Sequence, residues 1–302
     1  AAAQTVASRV TAGAGYAASR SLRCASRGLR TSLDAVVEER LYVIGGEAFS
    51  KDETGGSHLQ SAESFTLERR VWEPLPAMGF VRSCHAGAAL GGSIFVCGGA
   101  SPLINRSVMR FDPQDKNKRW RHMPPMITPR RDAVAAVVDQ RLYVCGGRDG
   151  EHVWNTVERF LPDGGRDSKG EWAAVLPAMS ARRERHAAVA LHGHLLVCGG
   201  LSELPSALAL KSAEAFLPLS GAWDMLPQME VHRHNHALTV LKGSAYASGG
   251  SSNSGQGLGD IAFWSLERYE PAAGKWSLCA KMPQPRDCHA AAAIAGRLYI
   301  CG

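Results

Sequence analysis

The chain has 302 residues, 45% of them hydrophobic and 21% charged, a globular composition with length for one large domain or two ordinary ones. No apolar run approaches the roughly 18 residues of a membrane-spanning helix, which argues against a membrane role. The net charge of +6 and pI near 9.0 permit acidic partners, but Lys and Arg are scattered among Asp and Glu rather than blocked together, which argues against nucleic acid.

The first 33 residues stand apart. They contain no Asp or Glu, five arginines, five serines and nine alanines, a composition that suits a disordered leader or linker over residues 1–29 and is also compatible with an organelle-targeting segment. The stretch LRTSLDAVVEE (29–39) aligns with the opening of the repeats that follow, although without their Arg and His in register. Residues 30–302 form the second unit.

From there one phrase recurs: RLYVIGG (40–46), RLYVCGG (141–147), RLYICG (297–302). The first glycine falls at 45, 98, 146, 199, 249 and 302, in steps of 53, 48, 53, 50 and 53 residues. A period near 50 is the mark of a stacked or radial repeat. Met78, Met126, Met179, Met229 and Met282 each stand 20 residues before a glycine, and an arginine follows each by four: Arg82, Arg130, Arg183, Arg233 and Arg286. Trp72, Trp120, Trp172, Trp223 and Trp276 precede the methionines, and the phrases ESF, MRF, ERF, EAF and ERY precede the tryptophans.

Each unit reads as four strands, a to d. The segment after the arginine is small and apolar, as in HAGAALGG (85–92), and suits a strand buried on both faces. A polar or glycine turn leads to an apolar strand that closes on the diglycine, where a missing Cβ permits close packing against a neighbouring backbone. The Glu-x-aromatic strand and the Trp strand complete the unit, the last halted by proline in phrases such as LPAM. An antiparallel four-stranded unit repeated radially predicts an all-β propeller. Glycine 302 arrives on schedule as the end of a strand b. The expectation is therefore five complete blades and half of a sixth, a C-terminally truncated piece of a six-bladed propeller.

The diglycine, the Glu-x-aromatic, the spaced Trp and Met, and the Arg-x-x-His together resemble the kelch repeat, from about residue 30 to 302. Met109 in place of Glu, Ala133 in place of His and Ser248 in place of Cys depart from the pattern at single positions. The resemblance implies a non-catalytic, cytoplasmic protein-interaction module, such as the substrate-recognition part of a ubiquitin ligase adaptor or an actin-associated protein. The BTB and BACK domains of such adaptors are not in this chain. The alternative it implies is a kelch-type enzyme, a sugar mutarotase or a lyase-like protein with an axial active site. That reading requires an acid, base or metal constellation outside the repeat positions, and the sequence offers none; no catalytic residue, cofactor or metal is assigned.

The repeat absorbs most residues that look chemical. Cys97, Cys145, Cys198 and Cys301 share one position and Cys84 and Cys288 another, a blade apart, so they read as buried reduced thiols suited to a reducing compartment. Tyr42, Tyr143, Tyr246 and Tyr299 share a position too, Tyr269 fills the Glu-x-aromatic position and Tyr16 stands outside the repeats, leaving no tyrosine for a copper-radical site. His85, His186, His236 and His289 are repeat positions. In VHRHNH (231–236), His232, His234 and His236 alternate on one face of an extended strand, where the outer two lie roughly 13–14 Å apart, too far for one ion.

Variation is confined to one half of the repeat. Met to glycine is constant, whereas the b–c connections differ in length and composition, and the b–c and d–a connections share one face of the propeller. Arg82, Arg130, Arg183, Arg233 and Arg286, with Arg131 and Arg185, enter strand a on that face. They predict a ring able to capture carboxylates of an acidic peptide or protein segment, with salt bridges to Glu63, Glu158, Glu214 and Glu267 as the alternative use. Trp264 is the candidate exposed aromatic contact, while Trp154 aligns with core positions.

Overall fold

The computed structural model describes residues 4–7, 40–48, 57–66, 69–162, 169–175, 177–203, 208–253, 260–294 and 296–301, with backbone alone at 4–7, 48, 253, 260, 294 and 301. Every regular element among them is a strand. Blade 2 comprises strands Ala86–Leu90, Ser93–Cys97, Val108–Phe111 and Trp120–Met123; blade 3 comprises Val134–Val138, Arg141–Cys145, Val157–Leu161 and Glu171–Val175. Blade 4 follows with Ala187–Leu191, His194–Cys198, Ala213–Leu217 and Ala222–Leu226, and blade 5 with Ala237–Leu241, Ser244–Ser248, Leu266–Glu270 and Lys275–Leu278. Each is an antiparallel a-b-c-d meander.

Blade 1 departs from this plan. Strands Arg40–Ala48, Ser57–Thr66 and Val71–Leu75 take positions b, c and d, and Gln4–Ala7 runs parallel to the first of them, in the innermost slot. Four residues of the expected leader therefore belong to the sheet; the rest of residues 1–29 and the aligned stretch 29–39 lie outside the described residues. Blade 6 comprises strands a and b, Ala290–Ile294 and Arg297–Cys301.

Strand order follows from side-chain alternation. In strand a of blades 2 and 4 alternate residues are buried, while Ser93–Cys97 in strand b is buried throughout, as expected for strands flanked by sheets on both faces. The core lies in the seams between blades. One seam joins Ala88 and Phe95 of blade 2 to Leu142 and Phe160 of blade 3. The same four positions recur where Ala292 and Tyr299 of blade 6 meet Leu41 and Phe65 of blade 1. That last seam closes the ring at six blades.

Two repeated contacts fix each seam. The second glycine of one blade donates its N–H to the arginine carbonyl of the next, as Gly147 does to Arg183 at 2.8 Å and Gly200 to Arg233 at 2.8 Å. At the outer rim a Trp Nε1–H donates to a proline carbonyl of the preceding blade: Trp120 to Pro76, Trp172 to Pro124, Trp223 to Pro177 and Trp276 to Pro227, at 2.8 to 3.0 Å. Within each blade the Trp also stacks on the aromatic of strand c, ring centroids 5.0 to 5.3 Å apart. Such a pair is worth about 0.5–1.5 kcal/mol beyond the area it buries.

Candidate functional site

The arginines form their ring, but four of them are inside the protein. Arg82, Arg130, Arg183 and Arg233 are 0–1% exposed. Nη1 of each donates to the first-glycine carbonyl of its own blade, Gly98, Gly146, Gly199 or Gly249. Nη2 donates to a hydroxyl at the start of strand c, Ser107, Thr156, Ser212 or Ser265. In blades 3, 4 and 5 the guanidinium also pairs with Glu158, Glu214 and Glu267, themselves buried.

The same carboxylates accept N–H groups of the turn after the methionine, from Ile127 and Thr128, Ser180, and Glu230 and Val231. A buried guanidinium must have its donors satisfied and its charge matched, and here the blade supplies both. Placing these four arginines among partner-contacting residues is therefore corrected: they brace the start of strand a. Blade 2 lacks the acid because Met109 takes its place, and burial lowers the Arg82 pKa to about 10.

Arg131, Arg185 and Arg286 remain partly exposed. Arg131 and Arg185 approach one buried carboxylate, Asp132, with Nε to Oδ2 distances of 3.8 and 3.9 Å. One negative charge facing two positive ones leaves the pair cationic. Beside them Arg148 meets Glu184 at 3.6 Å.

Asp132 and Arg185 belong to a second ring that the sequence did not reveal. Cys84, Asp132, Arg185, Asn235 and Cys288 occupy one repeat position, two after the arginine, and all adopt left-handed backbone with φ of 49 to 57°. From Asp132 onward the N–H donates to the carbonyl of the equivalent residue one blade earlier: Asp132 to Cys84, Arg185 to Asp132, Asn235 to Arg185, Cys288 to Asn235, all at 2.9 Å. Non-glycine residues in this region are uncommon and mark positions that the surroundings over-determine. Cys84, Asp132 and Asn235 of this ring line an axial cavity of about 140 Å³ walled by the strands a. Side-chain types at this position vary, so only the register, not composition, could have exposed it.

The other candidates resolve individually. Trp264 is exposed on the b–c connection of blade 5, and Leu103, Ile127, Leu208 and Ile261 are exposed on the same face. Trp154 holds its repeat place: its carbonyl accepts the Arg183 N–H as Leu210 accepts that of Arg233. The expected strand at 231–236 is a turn, because Asn235 carries φ of 54° and strand a begins at Ala237. His234 and His236 are buried and His232 is exposed, so the three do not share a face. Nε2 of His236 lies 3.4 Å from the Cys198 Sγ across the seam.

Cys97, Cys145 and Cys198 are buried and free, and burial pushes each thiol up to about 12. The Cys301 side chain lies outside the described residues. Among the described residues no group of three or more His, Cys, Asp or Glu is placed to hold a metal ion. No described helix is long and apolar enough to cross a membrane.

Residues 31–250 match the sequence model described as the KLHDC2/KLHL20/DRC7 Kelch-repeats domain. The chain belongs to the kelch-repeat family. It is 26% identical over 284 residues to Kelch-like protein 36 of Bos taurus, covering 90% of this chain and 43% of that protein. It is 27% identical over 266 residues to Kelch-like protein 35 of Mus musculus, covering 87% and 42%. This kelch propeller thus spans about two fifths of the length of those relatives. The solved structure titled "Structure of YjhT" superposes with a TM-score of 0.68 at 16% identity, covering 85% of this chain and 88% of that one, a likeness of fold.

Proposed function

We propose that this kelch propeller is a non-catalytic protein-binding module whose b–c and d–a loop face holds an acidic segment of a partner protein over the channel mouth. The observation that carries this reading is the pairing of Arg131 and Arg185 on the single carboxylate of Asp132, on a face that also exposes the apolar side chains Leu103, Ile127, Leu208, Ile261 and Trp264. A face that carries both cationic and apolar side chains suits a partner whose acidic residues sit among apolar ones.

The kelch-like relatives support a role in protein interaction, and one similar protein is named Kelch repeat and BTB domain-containing protein 12 of Homo sapiens, 26% identical over 182 residues. On that likeness the propeller serves as the substrate-recognition part of an adaptor in the cytoplasm, where buried free thiols stay reduced. The test is affinity capture with wild-type protein and the Arg131→Ala, Arg185→Ala double variant, with partners identified by mass spectrometry. A partner lost from the double variant while the protein still unfolds in one cooperative transition supports the reading. Partners captured equally by both proteins overturn the assignment of the face.

A further inference from the structure

The repeat supplies an internal control for one seam. Along strand c, the residue paired with the middle of strand b is Arg110 in blade 2, Arg159 in blade 3 and Arg268 in blade 5. Each projects toward the following blade, and Nε of Arg110 and Arg268 donates to Ser93 and Ser244 at the start of strand b, at 3.0 and 3.1 Å. In blade 4 the position is Ala215, paired with Leu196 and Asp224. The serine place on strand b is His194.

Blade 1 carries Ser64 at this position, fully buried, whereas beside Ala215 of blade 4 a cavity of about 210 Å³ opens between blades 4 and 5. It is below the size of sites for drug-like ligands, so it suits one side chain. Leu196, Leu217, Leu226 and Tyr269 give it an apolar wall, and the exposed carboxylate of Asp224 stands at its margin. Tyr269 brings a phenol where the other blades carry Phe65, Phe111, Phe160 and Phe216. The a–b turn residue His192 and the c–d turn residue Pro271 also line it. It therefore opens on the face opposite the variable loops.

We infer that the seam between blades 4 and 5 is a slot for an arginine side chain donated by a partner protein, the partner replacing the arginine that blades 2, 3 and 5 carry themselves. The methylene stem lies along Leu196, Leu217 and Leu226, and the guanidinium meets Asp224. Arginine combines an apolar stem with a planar charged head, which fits a slot that is apolar inside and acidic at its rim.

The test uses an acetylated, amidated Gly-Arg-Gly peptide and its citrulline counterpart, a neutral analogue of similar shape, titrated into the protein and followed by amide chemical shifts. The expected result is saturable movement at Ala215, Asp224 and Leu226 with the arginine peptide, and at least roughly tenfold weaker binding of the citrulline peptide, since charge-assisted hydrogen bonds are about twice as strong as neutral ones. Ala215→Arg restores the side chain of the sister blades and is expected to abolish the response with an unchanged melting temperature. Asp224→Asn alters an exposed residue and is expected to weaken binding several-fold. Equal response to both peptides, no response to the arginine peptide, or full binding by Asp224→Asn overturns the proposal.

Discussion

Gly199 lies directly beneath the carbonyl oxygen of Arg233. A Cβ on the glycine would stand 2.5 Å from that oxygen and 2.6 Å from Cε1 of His236, and Gly200 donates its N–H to the same oxygen at 2.8 Å. The diglycine is thus the docking point for the arginine turn of the next blade. Gly199→Ala combines φ of +63° with that overlap, whereas Gly193→Ala, at φ of +77°, meets no atom within 4 Å. Left-handed backbone costs an alanine about 1–2 kcal/mol in either place. Chemical denaturation is expected to show that modest loss for Gly193→Ala and a loss larger by several kcal/mol, or failure to fold, for Gly199→Ala. Equal losses would show that the seam relaxes around the added methyl.

Arg183 separates a structural from a surface role. Its guanidinium pairs with Glu214 at 2.9 Å, both residues being 0% exposed. Arg183→Ala leaves a buried carboxylate without its counter-charge, at a typical cost of 3–5 kcal/mol. The Arg131, Arg185 double variant removes partly exposed side chains that stand 3.8 and 3.9 Å from the buried Asp132 carboxylate, longer and weaker pairs than Arg183 makes, and is expected to cost less than Arg183→Ala while leaving Asp132 without its nearest cations. Urea denaturation of the two proteins decides it: similar midpoints would return Arg183 to the surface set.

Blade 2 carries an opportunity the other blades have used. Arg82 is buried beside Met109, whereas Arg130, Arg183 and Arg233 each meet a glutamate at that position. Met109→Glu places a carboxylate within reach of Arg82, and the charge-assisted bonds formed are each worth about 1.5–3 kcal/mol before the desolvation of the new acid is subtracted. The expected outcome is a higher melting temperature than wild type, with Met109→Gln gaining less. A lower melting temperature for the glutamate variant would mean that desolvation wins in this blade.

Much of the fold was legible because a repeated sequence reports one structure several times. The constant spacing from Met126 to Gly146 reflects a single hydrogen-bonded unit, in which the arginine side chain, the glycine carbonyl and the turn N–H groups are mutually fixed. The site was less legible for the same reason. Arg183 and Arg185 are two residues apart and equally basic, yet one is fully buried and the other partly exposed. Only the left-handed turn at Arg185 separates them, and its side chain does not announce that conformation. The vacancy beside Ala215 is visible in sequence only once the register of strand c is known, since alanine is otherwise unremarked in these strands.

His236 makes stability depend on pH. Burial lowers its pKa well below the ordinary value, and the nearby charges of Arg233, His289, His186 and His234 act in the same direction. The groups packed on it are the Cys198 Sγ across the seam and the glycine backbone at Gly199. A base whose folded pKa is depressed binds fewer protons in the folded than in the unfolded chain between the two values. Its contribution is therefore complete above about pH 6.5 and is lost as pH falls toward the folded pKa, at up to about 1.4 kcal/mol per pH unit. Unfolding free energy measured from pH 7.5 to 5.0 is expected to decline below 6.5, and His236→Asn, which does not titrate in this range, is expected to flatten that decline by up to one proton's slope. An unchanged slope in the variant would assign the acid sensitivity to groups other than this imidazole.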